Sequence, residues 1–324
     1  MQKVKCGAQG LVVSRLGLGC MSMSSTYGPA DEVEAGKALQ ASLEAEMSFW
    51  DTADVYGGGA NERFIAPFLS GRREQIVVAS KCGITGRNAD GLTVNGRPRY
   101  IYQACEDSLK RLNTDYIDLF YLHRVDPDVP IEESVGAIGE LISRGLVKYA
   151  GICEASAETI RRAHGEFPLT AVQSEYSLFT REIENEILPL LRELDIALVA
   201  YSPLGRGFLT GNITSSEDIA ADDFRRQLPR FEEENLKKNL RWVKRVEEVA
   251  RAHGATTAQI ALAWLLGNES VIPIPGTKRP KYVFENAGAA RIELGPQERE
   301  YLDFQDSAIA GDRYPEILSK AVGR

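Results

Sequence analysis

Four side chains with proton chemistry stand at matching places in this sequence. Asp51 and Tyr56 lie in "WDTADVYGGG" (50–59), a carboxylate and a phenol followed at once by three glycines. Lys81 ends the apolar run "QIVVASK" (75–81), and His123 ends "YIDLFYLH" (116–123). A free phenol titrates at about 10 and is a poor acid–base group at neutral pH. A neighbouring ammonium stabilises the phenolate and lowers that value, and a carboxylate beside the ammonium keeps it charged and aimed. A neutral imidazole can donate a hydrogen bond to a carbonyl oxygen and help position it. Together, Asp51, Tyr56, Lys81 and His123 could protonate an alkoxide as it forms from a carbonyl. Singly, each has a plainer role: a cap, a turn aromatic, a solvated strand end, a hydrogen-bonding imidazole. Their recurrence at the ends of three successive apolar runs points to a shared mouth.

The elements that would position them follow a simple alternation. Short apolar runs occupy 14–19, 47–51, 75–81, 116–123, 147–153, 169–174, 196–202 and 270–276. Near-continuous apolarity over such lengths suits strands buried on both faces. Amphipathic stretches at 30–46, 131–145, 180–194 and 239–254 read as helices between them. This alternation predicts parallel strands with crossover helices, and eight units predict an α/β fold, a (β/α)8 TIM barrel. One barrel domain spanning 1–324 is the expectation, although length alone would suggest two domains. "GAQGLVVSR" (7–15) predicts a β-hairpin ahead of the first barrel strand. Segments 82–98, 205–232 and the tail after 306 exceed ordinary connection length, as substrate loops of a barrel enzyme do.

Composition narrows the function classes. Hydrophobic residues make up 44% and charged residues 26%, with a net charge of −8, which argues against a nucleic-acid or anionic-membrane surface. Five scattered cysteines fit reduced thiols in a cytoplasm better than a disulfide framework. No signal-peptide core or membrane-length apolar run is visible, so a soluble cytoplasmic protein is expected. The histidines (123, 164 and 253) form no HxH or HExxH pattern, and no metal is expected. "GLGCMS" (17–22) lacks the third glycine of a dinucleotide fingerprint, and no P-loop is present.

The set "DTADVYG", "SK", "LH", "QSEYS", "AYSPLGRGFLTG" and "IPIPGTKRPKYVFENAGA" resembles the aldo-keto reductase family, from about residue 3 to 306. "YIDLFYLHR" with "GICEAS" most resembles its branch of microbial and plant reductases. The resemblance implies reduction of a small-molecule carbonyl with NADPH/NADP+ as cofactor and no obligatory protein partner. It implies Tyr56 as general acid, Lys81 and Asp51 as its tuning groups, and His123 directing the carbonyl. Family pattern further implies Glu285 and Asn286 at the adenine. After the fifth strand the family commonly has serine followed by Asn or Glu on the carboxamide, and here Cys153-Glu154 stands there. A thiol is a weak donor, so Gln173 would carry more of that contact. An alternative on the same fold is an NADPH-binding sensing subunit with slow turnover, since potassium-channel β subunits also resemble the family and fold does not settle function.

The residues themselves suggest a cofactor site. Tyr201 offers a flat face to a nicotinamide. Gln173 can give donor and acceptor to a carboxamide. Ser202 and the backbone through Leu204 and Gly205 could meet a pyrophosphate, within a segment that also holds Pro203, Arg206 and Gly207. Gly276, Thr277, Lys278 and Arg279 precede a helix, and a helix N-terminus with two cations suits a phosphate. The extra cations favour NADPH over NADH. The substrate pocket is expected from Tyr27, from Trp50 or its neighbours, and from the loops 82–98, 124–130 and 205–232. Apolar and aromatic side chains there would suit an aldehyde or ketone of modest polarity.

Overall fold

A computed structural model describes residues 1–24, 27–303 and 309–324. The tail expected after residue 306 is therefore described from 309 onward.

Each apolar run becomes a strand. The barrel strands are β3 (Leu18–Gly19), β4 (Phe49–Asp51), β5 (Val77–Cys82), β8 (Ile117–Leu122), β9 (Val147–Cys153), β10 (Ala171–Glu175), β11 (Ala197–Tyr201) and β12 (Val271–Pro273). They form one eight-stranded sheet, parallel throughout, in the order β12-β11-β10-β9-β8-β5-β4-β3. Gly17 N donates to Pro273 O at 2.9 Å and Gly19 N to Pro275 O at 3.2 Å, which brings the two edges of the sheet together. Closure pairs the two edge strands of the eight-stranded sheet with each other. The Arg15 guanidinium reinforces the seam, donating to the carbonyls of Leu266, Asn268 and Val271.

Two further hairpins flank the barrel. The first, β1 (Lys3–Cys6) with β2 (Leu11–Ser14), packs Cys6, Leu11 and Val13 into the barrel interior beside Phe49, Leu119 and Val199. The second, β6 (Ile84–Asn88) with β7 (Gly91–Val94), lies within the segment read from sequence as a long loop.

Helices α1 (Glu32–Glu44), α2 (Ala60–Leu69), α3 (Pro98–Leu112), α4 (Ile131–Ser143), α5 (Ala157–Glu166), α6 (Ile187–Glu193), α7 (Glu233–His253), α8 (Thr257–Leu266) and α9 (Pro280–Gly288) surround the sheet, followed by short α10 (Pro296–Tyr301) and α11 (Glu316–Ser319). Their apolar faces and the outward faces of the strands make the largest core cluster. Helix α6 is shorter than the 180–194 expected, because Pro189 is tolerated only in a first turn, and the chain before it forms a separate short turn over Glu182–Glu184. Among the described residues, no helix is long and apolar enough to cross a membrane.

The β4–α2 connection is held from below by buried charge. Glu62 is fully buried and accepts from Ser80 Oγ and Arg111 Nε, both at 2.6 Å. Asp54 lies beside it, with Oδ1 buried and unpartnered. Burial, reinforced by Glu62, pushes the Asp54 carboxyl up to about 7. A carboxyl raised on folding favours the native state below its unfolded value of about 3.9 and loses that advantage as pH climbs toward the folded value. Asp54→Asn removes the ionisation. Its melting temperature should match or trail the wild type near pH 4 and exceed it by roughly 2 °C or more at pH 8. Parallel pH dependence in differential scanning calorimetry would refute this reading.

Candidate active site

Strand parity sorts the residues at the barrel mouth. Side chains alternate along β4, so Phe49 faces the barrel interior, Trp50 faces the helices and Asp51 returns to the mouth. Trp50 is fully buried, and its indole nitrogen donates to Ser42 Oγ of α1 at 2.9 Å. The expectation that Trp50 lines the pocket is therefore corrected, while Tyr27 does line it.

Asp51, Lys81, Tyr56 and His123 converge. Lys81 Nζ donates to Asp51 Oδ1 at 2.5 Å and to Thr52 O at 2.8 Å, and stands 3.5 Å from the Tyr56 hydroxyl. Asp51 Oδ2 accepts from Gln173 Nε2 at 2.8 Å. The Tyr56 and His123 rings meet edge-on with centroids 5.9 Å apart. Tyr56, Asp51 and His123 are on the cavity wall, and Lys81 is fully buried behind them.

The three glycines place the phenol. Gly57, Gly58 and Gly59 take φ of 59°, 61° and 87°, left-handed values that side chains resist. A Cβ on Gly59 would stand 2.6 Å from the Arg111 side chain. This turn carries the chain from Tyr56 directly into α2. Asn61, at the start of α2, accepts from Thr52 Oγ1 at 2.6 Å and donates to Cys20 O at 2.9 Å, tying the turn to β4.

Electrostatics set the proton inventory. Burial opposes the Lys81 charge, but Asp51 more than offsets it and holds the ammonium above its usual range. Burial pushes the Tyr56 phenol up to about 12, with Lys81 recovering only part of the shift. The expected downward tuning is thus reversed in sign, and Tyr56 keeps its proton at neutral pH. Burial drives His123 well below the ordinary imidazole value, with Lys81 and Arg124 adding to it, so the ring is neutral.

Above this cluster opens a cavity of about 560 Å³. Gln173, Tyr201, Ser202, Pro203, Leu204, Arg206 and Gly207 line it, as do Gly276, Thr277, Lys278, Arg279, Glu285 and Asn286. Three residues expected at a cofactor do not. Gly205 sits inside the turn, with φ 56°. Cys153 is buried off the wall, and burial pushes its thiol up to about 12. The Glu154 carboxylate is occupied by Arg313 at 2.6 Å and by the Glu175 amide at 2.9 Å. Lys278 lines the cavity, yet its ammonium donates to the carbonyls of Tyr27, Gly28 and Pro29 at 2.9, 3.0 and 2.6 Å. Arg279 has no ion-pair partner among the described residues. Gly19 and Gly276 let β3 and β12 approach closely, since a Cβ on Gly276 would stand 3.2 Å from Gly19 O. Ser22 Oγ lies beside them, buried and unpartnered.

Sequence reasoning did not single out Tyr282 and Tyr314, which also line the cavity, and reached Arg225 only as part of the 205–232 segment. Tyr282 was findable, because it stands three residues before Glu285 on the same helical face. Arg225 sits in a run of short turns within that segment, and Tyr314 arrives from the distant tail with no local signal.

Comparison with known proteins gives the family and the fold. The profile of the Aldo/keto reductase family matches residues 15–305. A "Probable aldo-keto reductase 1" of Glycine max is 46% identical over 319 residues, covering 97% of this chain and 92% of that one. A glycerol dehydrogenase of Gluconobacter oxydans superposes with a TM-score of 0.84 at 27% identity, over 99% of this chain and 96% of that one. An aldo-keto reductase of Bacillus halodurans, solved in its holo form, gives 0.76 at 28% identity over 98% of each chain. With its eight-stranded barrel and the Asp–Tyr–Lys–His cluster at the mouth, the chain belongs to the aldo/keto reductase family.

Proposed function

We propose that the protein reduces aldehydes or ketones to alcohols with NADPH, and that Tyr56 is the proton donor. One observation carries the proposal: the Tyr56 hydroxyl stands 3.5 Å from the Nζ of the buried Lys81–Asp51 pair, with its ring edge-on to His123. When bound, the reduced nicotinamide supplies the hydride. The chain's own residues do the rest. His123, neutral, donates to the carbonyl oxygen and holds it toward the Tyr56 hydroxyl. As charge develops on that oxygen, Tyr56 gives up its proton, and the Lys81 ammonium stabilises the phenolate left behind. Asp51 and Thr52 O keep Lys81 charged and aimed.

The residues present fit the cofactor. Tyr201 supplies an aromatic face, and the unpartnered Ser22 hydroxyl lies where two backbones approach without side chains. Arg279 is our choice for the 2′-phosphate of NADPH, because Lys278 is already engaged by three carbonyls. Lys278 instead ties the 27–29 segment across the cleft.

Two measurements test this. Purified wild type should oxidise NADPH with a panel of activated aldehydes, and Tyr56→Phe should bind NADPH while losing roughly 10²–10⁴-fold in kcat. Tight NADPH binding without turnover in either protein would replace the reductase reading with that of a sensing subunit. Arg279→Ala should raise the KM for NADPH by roughly 10–100-fold and leave NADH little changed. Lys278→Ala should weaken both cofactors alike, and an NADPH-selective loss there would reverse the assignment.

A further inference from the structure

The cavity is cationic although the protein is acidic. Arg87, Arg124, Arg206, Arg225, Lys278 and Arg279 line it, against Asp51 and Glu285 as the carboxylates. Several of these charges are already answered. Arg206 pairs with Glu175 at 2.7 Å, Arg225 with Asp223 at 2.7 Å, and Lys278 is held by carbonyls. Arg279 stands at the β12–α9 end, where the proposed phosphate would lie.

Arg124 is different. It follows His123 at the end of β8, is 8% exposed and lines the cavity. Its NH1 donates to His123 O at 2.7 Å, and its Nε is buried without a partner. No carboxylate lies within 4.0 Å of it among the described residues. Glu154 and Glu175 lie nearby, but their carboxylates are engaged by Arg313 at 2.6 Å and Arg206 at 2.7 Å. Glu182 reaches Arg313 at 3.9 Å but is 57% exposed, so water screens it. Arg124 thus keeps an unpartnered Nε beside the group that would position the carbonyl. A buried guanidinium N–H without an acceptor is costly, and a planar carboxylate answers a guanidinium with two parallel hydrogen bonds.

We propose that Arg124 binds a carboxylate on the substrate, so that the preferred substrates are short oxo acids: aldehydes or ketones with the acid group a few atoms from the carbonyl. This inference rests on the carbonyl-reductase reading and departs from the modest polarity expected from sequence. Focusing by the cationic wall would also draw such an anion into the cleft of an otherwise acidic protein.

A matched pair of compounds tests it: 4-oxobutanoic acid and its neutral methyl ester, with wild type, Arg124→Gln and Arg124→Lys. Wild type should prefer the acid in kcat/KM by roughly 10–100-fold, mainly through KM. Arg124→Gln should bring the ratio near one, and Arg124→Lys should restore part of it. A purely structural role for Arg124 would lower both substrates together and leave the ratio intact, which would overturn the proposal. So would a wild type indifferent to the carboxylate, or an Arg124→Gln variant whose loss is in NADPH affinity. Calorimetric binding of the two aldehydes to the NADP+ complex reads the same ratio without turnover. Discrimination in binding with no reduction of either compound would uphold the anion site and sink the reductase reading.

Discussion

The Lys81 ammonium has no contact with water, and all that keeps it charged is the ring of oxygens around it. Asp51 Oδ1 and Thr52 O receive its protons, and the Tyr56 hydroxyl completes its surroundings. An ion pair sealed this way contributes little net stability, but removing one partner costs about 3–5 kcal/mol, because the other charge is left buried alone. Much of the mouth serves this pair. Gln173 from β10 fixes the second oxygen of Asp51. Asn61 fixes Thr52, and the glycine turn brings Tyr56 back over the lysine. The pair therefore ties β4, β5 and β10 to α2, and in the proposed mechanism it is the charge that receives the phenolate.

Burial acts in opposite directions on the groups around that pair, and the division of labour follows. It raises the phenol and lowers the imidazole, so Tyr56 holds a proton to give and His123 is a neutral hydrogen-bonding group. The tail extends the same low-dielectric environment. Arg313 pins it to Glu154 at 2.6 Å, and the Tyr314 hydroxyl meets that of Tyr201 at 3.0 Å. Asn239 holds Ala310 by paired hydrogen bonds of 2.9 and 2.8 Å. The tail from 309 onward thus bears on the polarity of the site as directly as the barrel strands do, through contacts that close one side of the cavity.

Sequence legibility tracks how local the determining physics is. The eight barrel strands were readable because a strand buried on both faces must be apolar along its length, and the titratable residue ending such a run stands out. Asp51, Lys81 and His123 were found that way, and the tyrosine by its spacing. Parity along "FWD" would have excluded Trp50 once Asp51 was placed at the mouth, so that error was avoidable. Others were not. Glu154 is claimed by an arginine 159 positions away, and Lys278 by carbonyls about 250 positions away. Nothing in their neighbourhoods announces either contact. The sign of the Tyr56 shift was missed for a similar reason, since Lys81 is visible in sequence while the depth of burial is not.

The central claim is that Tyr56 is a protonated phenol beside a permanently charged lysine. The most direct measurement is an NMR titration of ring-labelled tyrosine in wild type, with Tyr56→Phe used to assign the resonance. The account predicts that Tyr56 remains protonated through neutral pH and beyond the ordinary phenol value, titrating near 12 if the fold survives to that point. A phenolate already formed near pH 7 would contradict it, and would mean that the Lys81 charge outweighs burial.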